Sequence, residues 1–278
     1  MTLFVNGLTH LDASIWCPQS GLLGASWLVD AELDGQLGAD GMLFDFAEVK
    51  PWIKKQLDAG PDHTLIVPTE APGVSIQACS EGLCVSTIHP YPMEVRGPRQ
   101  AFTLLPWKSI DAPRLAAHYA AQLSRHAPPR VESVRLRFHE EAIEGATYRY
   151  SHGLKRHTGN CQRIVHGHRS RLHIWEGGRR QPGREADWAR QLDGRYFIAE
   201  EDIVDCPPLP HGQVTLRYRA SQGSFQLRLP RERCVILPTS TTVELIAAWL
   251  ADRLVADGGA QVRVQAFEGI GKGALAEG

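Results

Sequence analysis

The segment Cys161-Gln162-Arg163-Ile164-Val165-His166-Gly167-His168 sets two histidines two positions apart, with a cysteine five residues upstream of the first. On a β-strand, residues i and i+2 point to the same face. His166 and His168 therefore aim two imidazoles at one ion, and His152 on a neighbouring strand supplies a third. Three neutral nitrogen ligands with the fourth position open form the layout of a catalytic zinc site, not of a closed structural one. Cys161 is then left free as a proton-transfer group.

Outward from this segment, the chain reads as two similar halves. In the first, residues 2–8 and 27–33 read as strands, the second with clear alternation. Phe46, Val49, Ile53 and Leu57 have helical spacing, with Asp45 as the N-cap. Ser109 to Leu123 reads as a second amphipathic helix, and Ser133 to Phe138 alternates as a strand. The second half repeats the order. Ala146 to Tyr150 and Arg171 to Trp175 are strand candidates, and the Asp187 to Gln191 region gives a weak signal. Thr241 to Leu254 is an amphipathic helix, and Gln261 to Phe267 is a strand. The punctuation also repeats, as Phe138-His139-Glu140 and Ala266-Phe267-Glu268. Such self-similarity points to stacked units. Residues 69–108 and 205–237, including Pro207-Pro208-Leu209-Pro210 and the alternating Val214 to Tyr218, read as extra hairpins or surface loops.

The 278 residues suffice for one large domain or two of about 140. A 43% hydrophobic and 22% charged composition is that of a globular chain, and a net charge of −1 gives no reason to expect a nucleic-acid partner. No apolar run approaches the roughly 18 residues that a bilayer requires, so no membrane partner is expected. The N-terminal Met-Thr-Leu-Phe-Val-Asn-Gly has neither a basic nor an apolar region of the secretory kind. Six irregularly spaced cysteines do not read as a disulfide framework. A cytoplasmic location is the expectation.

Tyr150-Ser151-His152-Gly153-Leu154, Cys161 and His166-Gly167-His168 resemble the zinc and cysteine signature of the 6-pyruvoyl-tetrahydropterin synthase family. That family includes the bacterial 6-carboxytetrahydropterin synthases of queuosine biosynthesis. In the first half, Gly41-Met42-Leu43-Phe44-Asp45-Phe46-Ala47-Glu48-Val49-Lys50 resembles the family's Gly-x-Val-x-Asp-Phe-x-x-Leu-Lys segment. Asp62-His63 with Leu65 resembles its Leu-Asp-His-x-x-Leu motif, with Pro61 in place of the leucine. Pro238-Thr239 and Glu268 resemble its C-terminal features. The departures are complementary. Where the first half should carry the metal motif it reads Gly21-Leu22-Leu23-Gly24-Ala25-Ser26-Trp27, and Tyr196-Phe197-Ile198-Ala199-Glu200 stands where the second half should carry Asp-His.

The resemblance implies an α+β fold of two tandem tunnelling-fold (T-fold) units, residues 1–145 and 146–278. Each unit is a four-stranded antiparallel sheet with two helices on one face, and units assemble into a barrel by homo-oligomerisation. It implies Zn2+ on His152, His166 and His168, and catalytic Cys161, His63 and Asp62. It also implies a small-molecule pterin substrate held by Glu268, Glu140 and Thr239. The implied reaction is on 7,8-dihydroneopterin triphosphate. One course yields 6-carboxy-5,6,7,8-tetrahydropterin with loss of acetaldehyde and triphosphate, and the other is the pyruvoyl-forming elimination of triphosphate. A different zinc enzyme on the same fold and a non-catalytic pterin-binding protein remain as alternatives. Lys155, Arg156, Arg163, Arg169 and Arg171 crowd the metal motif and suit phosphate contacts. His157 and His173 are read as non-ligands. Because neither half holds a complete set, the site is expected to be shared between unlike halves, with Asp62 and His63 brought to the metal ligands.

Overall fold

The computed structural model describes residues 1–204 and 212–278, so the Pro207-Pro208-Leu209-Pro210 run lies outside the described residues. The first half opens with two long antiparallel strands, β1 (Thr2–Cys17) and β2 (Gly21–Gly35), followed by helix α1 (Phe46–Ala59). Five short strands follow: β3 (Leu65–Pro68), β4 (Val74–Cys79), β5 (Gly82–Thr87), β6 (Met93–Gly97) and β7 (Phe102–Leu105). Helix α2 (Ala112–Arg125) and strand β8 (Val131–His139) complete it. The second half contains β9 (Thr147–His152), β10 (His166–Glu176), β11 (Arg179–Arg180), α3 (Pro182–Leu192) and β12 (Arg195–Ala199). It continues with β13 (Gln213–Ala220), β14 (Gly223–Pro230), β15 (Cys234–Leu237), α4 (Val243–Ala256), β16 (Arg263–Phe267) and β17 (Gly273–Glu277).

The helices follow from spacing and caps. Asp45 accepts the Ala47 N–H and sets the start of α1, whose Val49, Ile53 and Leu57 are buried. Asp111 accepts the Arg114 N–H at α2 and buries Leu115, Tyr119 and Leu123 behind it. The weakly signalled Asp187 to Gln191 region belongs to α3, which buries Glu185, Ala189 and Leu192. Each of two sheets buries its own apolar face under its two helices. Leu11, Val29, Ile53 and Leu115 belong to one core, and Tyr148, Ile174, Ile246 and Leu250 to the other.

The two sheets share a topology. The first runs β7-β3-β1-β2-β8 and the second runs β15-β12-β9-β10-β16-β17, with β11 paired to β10. The expected four strands per sheet are thus exceeded, at five and seven. The extra strands include parallel ones: β3 pairs with β1 and β7, and β12 with β9 and β15. Leu65-Ile66-Val67-Pro68 is buried throughout and does not alternate, which is why an alternation rule passes over it. A third sheet, β13-β14-β6-β5-β4, combines strands from both halves, with Leu227 of β14 opposite Val95 of β6. It occupies the stretches read as extra hairpins or loops.

The two main sheets touch at their central strands. Ser14 of β1 and Ser151 of β9 share a 2.7 Å hydroxyl hydrogen bond. Glycine permits this approach. A Cβ on Gly24 would lie 2.2 Å from the Tyr150 carbonyl oxygen, and one on Gly167 would lie 2.5 Å from the same atom and 2.7 Å from Ser14 Oγ. Among the described residues, no helix is long and apolar enough to cross a membrane.

Candidate functional site

His152 lies opposite His166 in the antiparallel β9/β10 register, and His168 lies two residues further along β10. The pleat therefore puts all three imidazoles on one face. Their ring centroids are 4.5, 5.3 and 5.5 Å apart, and one nitrogen from each falls within 4.8 Å of the others. All three side chains are buried. His152 Nδ1 is 2.9 Å from the Thr241 carbonyl oxygen, His166 Nδ1 is 3.2 Å from that of Arg163, and His168 Nδ1 is 3.2 Å from Asp12 Oδ1. His152 and His166 thus each hydrogen-bond a carbonyl, which fixes the tautomer, whereas His168 Nδ1 stands beside the Asp12 carboxylate at ion-pair distance without a hydrogen bond. The three Nε2 atoms are buried without a hydrogen-bond partner. Burial, reinforced by the neighbouring histidines, pushes the His152 and His166 pKa values well below the imidazole range. Three inward-facing Nε2 atoms with no other partner fit a divalent cation such as zinc.

Asp62 and His63 come from the first half, in the turn between α1 and β3. Their position depends on Asp12 of β1, whose N–H donates to Asp62 Oδ1 at 3.0 Å and whose carbonyl accepts the His63 N–H at 2.7 Å. His63 adopts φ 54°, a left-handed conformation that a non-glycine residue rarely takes. Asp62 Oδ2 accepts from His63 Nδ1 at 2.6 Å, leaving Nε2 for the site. The His63 ring centroid is 5.4 Å from that of His166, and the Cys161 thiol lies against the same imidazole. Burial works against the His63 imidazolium, but hydrogen bonding to Asp62 and Cys161 outweighs it and raises the pKa to about 10. Cys161 sits in a single 3-10 turn, Asn160–Gln162, anchored from the third sheet. Tyr218 Oη donates to the Gln162 carbonyl, and Ser221 Oγ and the Gln222 N–H donate to Gln162 Oε1. Arg163 Nη1 then donates to the Asp62 carbonyl at 3.2 Å, tying this loop to the turn of the other half. The triad, Cys161, Asp62 and His63 therefore converge within one chain.

Glu268, after β16, places Oε1 3.9 Å from His152 Nε2 and 4.0 Å from His168 Nε2. Glu140 stands at the matching place after β8, but Arg149 and Arg169 take its carboxylate at 2.6 and 3.0 Å. Thr239 is exposed and donates only to the adjacent Ser240 carbonyl, and it is Thr241 of this segment that touches the triad. The crowd of basic residues is occupied by carboxylates and carbonyls. Lys155 meets Glu201 and Asp202, Arg156 meets Glu201, and Arg171 meets Glu141. His157 accepts the Gly159 N–H and His173 contacts Gln265, both outside the triad.

The other half carries the same framework with different side chains. The Arg149 N–H donates to Asp193 Oδ1 at 2.8 Å and its carbonyl accepts the Gly194 N–H at 2.8 Å, repeating the Asp12, Asp62 and His63 arrangement. Gly194 has φ 67°, close to the 54° of His63. The place expected to match Asp-His is therefore Asp193-Gly194, just upstream of Tyr196 to Glu200. Tyr196 to Ala199 lies in β12, the strand that follows this turn. By strand register, Ile15, Leu23 and Ala25 occupy the positions of His152, His166 and His168. Sequence reasoning missed Asp12 because nothing local links it to residues 50 and 156 positions away.

The family model for 6-pyruvoyl tetrahydropterin synthase matches residues 14–151. The matched span includes Asp62 and His63 and ends at Ser151, one residue before the first histidine of the triad. Among solved structures, a catalytic-residue variant of Plasmodium vivax 6-pyruvoyltetrahydropterin synthase aligns at 20% identity over 45% of this chain and 78% of its own, with a TM-score of 0.38. The Plasmodium falciparum 6-pyruvoyl tetrahydropterin synthase aligns at 18% identity over the same shares, with a TM-score of 0.37. No curated protein matches the chain. The resemblance read from the histidine, cysteine and Asp-His motifs and the independently matched family model agree: the chain belongs to the 6-pyruvoyl tetrahydropterin synthase family.

Proposed function

We propose that this chain is a zinc-dependent pterin lyase acting on 7,8-dihydroneopterin triphosphate. The product we favour is 6-carboxy-5,6,7,8-tetrahydropterin, formed with loss of acetaldehyde and triphosphate. The observation that carries the reading is the meeting of Cys161, His63 and Asp62 beside the buried histidine triad. Mere pterin binding needs neither a thiol nor an imidazole held by a carboxylate, so the arrangement favours catalysis over a binding role.

His152, His166 and His168 would hold the zinc, which when bound acidifies substrate hydroxyls and stabilises developing negative charge. Asp62 fixes the His63 tautomer and supports its protonated form. Cys161 and His63, in contact, form a donor and acceptor pair able to pass a proton to or from a substrate side chain bound beside them. Glu268 offers a carboxylate near the triad for the amino-pyrimidine edge of the ring, and this assignment orients the pterin towards the metal ligands. Glu140 is ion-paired twice and belongs with the other half's framework. We read the shared strand orders of the two main sheets as tandem T-fold units, residues 1–145 and 146–278, whose remaining edges join by homo-oligomerisation. A cytoplasmic place in queuosine biosynthesis follows if the carboxy-forming reaction is the one that runs.

Incubation with 7,8-dihydroneopterin triphosphate, with the products identified by mass, tests the proposal. The carboxylated tetrahydropterin with acetaldehyde supports it. A pyruvoyl product shifts the assignment to the elimination reaction, and unchanged substrate with zinc-loaded protein refutes both.

A further inference from the structure

Among the described residues, Asp12 is the one whose side chain meets the histidine triad while its backbone holds the Asp62-His63 turn. Its carboxyl is buried, with Oδ1 3.2 Å from His168 Nδ1. Ser26 Oγ donates to the same oxygen at 2.5 Å, and Lys272 Nζ stands 3.6 Å from Oδ2. Gly269 closes the remaining side, since a Cβ there would lie 2.7 Å from Asp12 Oδ1 and 2.9 Å from Ser26 Oγ. The carboxylate is thus held in one place from three directions. All of its backbone contacts to the Asp62 turn recur at Arg149, where the side chain is a cation and reaches Glu140 instead. The backbone role is therefore common to both halves, and the carboxylate at His168 is not.

We propose that Asp12 is a positioning residue through which the first half of the chain sets the metal affinity of a triad supplied wholly by the second half. It acts through His168. Its carboxylate, 3.2 Å from Nδ1, favours the tautomer that keeps the proton on that side and presents Nε2 to the ion, and its charge makes Nε2 a stronger donor. His152 and His166 have only carbonyl oxygens in this place, so His168 is the ligand with a charged support. The inference rests on the metal-binding part of the reading above and on none of its pterin chemistry.

The test measures zinc affinity by competition with a chromophoric chelator, using purified full-length protein stripped of metal and reloaded. Asp12→Asn keeps the shape and removes the charge, and should weaken zinc binding by about 10- to 100-fold. The Co2+-loaded Asp12→Asn protein should show a displaced visible absorption band, which a purely structural role would leave in place. Ser26→Ala frees the carboxylate without removing it and should give a smaller loss in the same direction. Asp193→Asn, which alters the matching turn of the other half, should leave affinity and spectrum unchanged. Wild-type affinity in Asp12→Asn, or an equal loss in Asp193→Asn, overturns the proposal. If Asp12→Asn does not fold, an unaltered affinity in Ser26→Ala overturns it instead. Wild-type protein that takes up no zinc refutes the metal reading itself, whereas a zinc-binding wild type with an unaffected Asp12→Asn refutes this proposal alone.

Discussion

Replacing Gly167 by alanine should damage the triad without touching a ligand. The added Cβ would sit 2.5 Å from the Tyr150 carbonyl oxygen, 2.7 Å from Ser14 Oγ and 2.8 Å from Ser151 Oγ. Ordinary contact begins near 3.4 Å, so β10 must move away from β9 and β1 by several tenths of an ångström at the residue between His166 and His168. The nearest atom is backbone, which cannot rotate aside. Overpacking of this kind costs about 1–3 kcal/mol, and separating the two serine hydroxyls removes about 1 kcal/mol more. At roughly 2–4 °C per kcal/mol for a chain of this size, metal-free protein should melt about 4–16 °C below wild type. The displacement acts on the relative placement of His152 against His166 and His168, so zinc affinity should fall as well. Differential scanning calorimetry of the metal-free protein and chelator competition measure the two effects separately. Unchanged melting together with unchanged zinc affinity would refute the close approach on which the argument rests. Lower melting with wild-type affinity would refute the link from strand spacing to the ligands.

His166→Ala should abolish stoichiometric zinc uptake, and metal analysis of wild type should give one zinc per chain, since the matching positions of the first half are Ile15, Leu23 and Ala25. Cys161→Ala and His63→Ala should each remove most turnover while retaining zinc. Because both groups meet within one chain, mixing the two variants should restore no activity, and recovered activity would require a site completed across chains. Glu185 is a buried carboxylate that accepts from the Ile174 N–H and from Arg180 Nε and Nη2. Burial alone would raise its pKa, but these bonds bring it below the usual 4.5, so its stabilisation is whole above about that pH and is lost as the pH falls through the lower folded value. Glu185→Gln should therefore lower stability by about 1–3 kcal/mol at neutral pH, with the difference from wild type shrinking under acid in urea titrations. A difference that grows on acidification would reverse the sign argued here.

What could be read from the sequence divides along physical lines. His166 and His168 declare themselves because strand alternation is a local rule, and β10 bears them as expected. Helices α1, α2 and α4 were legible because their apolar spacing is local too, as at Asp45 and α1, whereas α3 lacks a side-chain cap and gave only a weak signal. The third sheet was not legible. Its strands are short and partly exposed, as in β4, and the pairing of β14 with β6 joins segments about half a chain apart. Glu140 and Glu268 follow the same punctuation, and only the arginines that fold against Glu140 tell them apart. The basic residues around the metal motif looked free because their carboxylate partners, Glu201, Asp202, Glu140 and Glu141, are contributed by other loops. Asp12 gave no signal at all, since its importance comes from register and from the face of β1 it occupies.

The hydrogen bonding of β6 to β14 gives the molecule a property that separate subunits lack. When complementary groups reside on different polypeptides, their meeting depends on concentration, and dilution takes them apart. Here Asp62 and His63 are synthesised in fixed ratio with the three histidines and are zipped to them by a ladder that spans both halves. Each half is thereby relieved of keeping a full set of functional side chains. Ile15, Leu23 and Ala25 are free to serve packing alone, and Gly194 free to serve only its turn. Specific activity per chain should accordingly stay constant on dilution for as long as the chain itself stays folded.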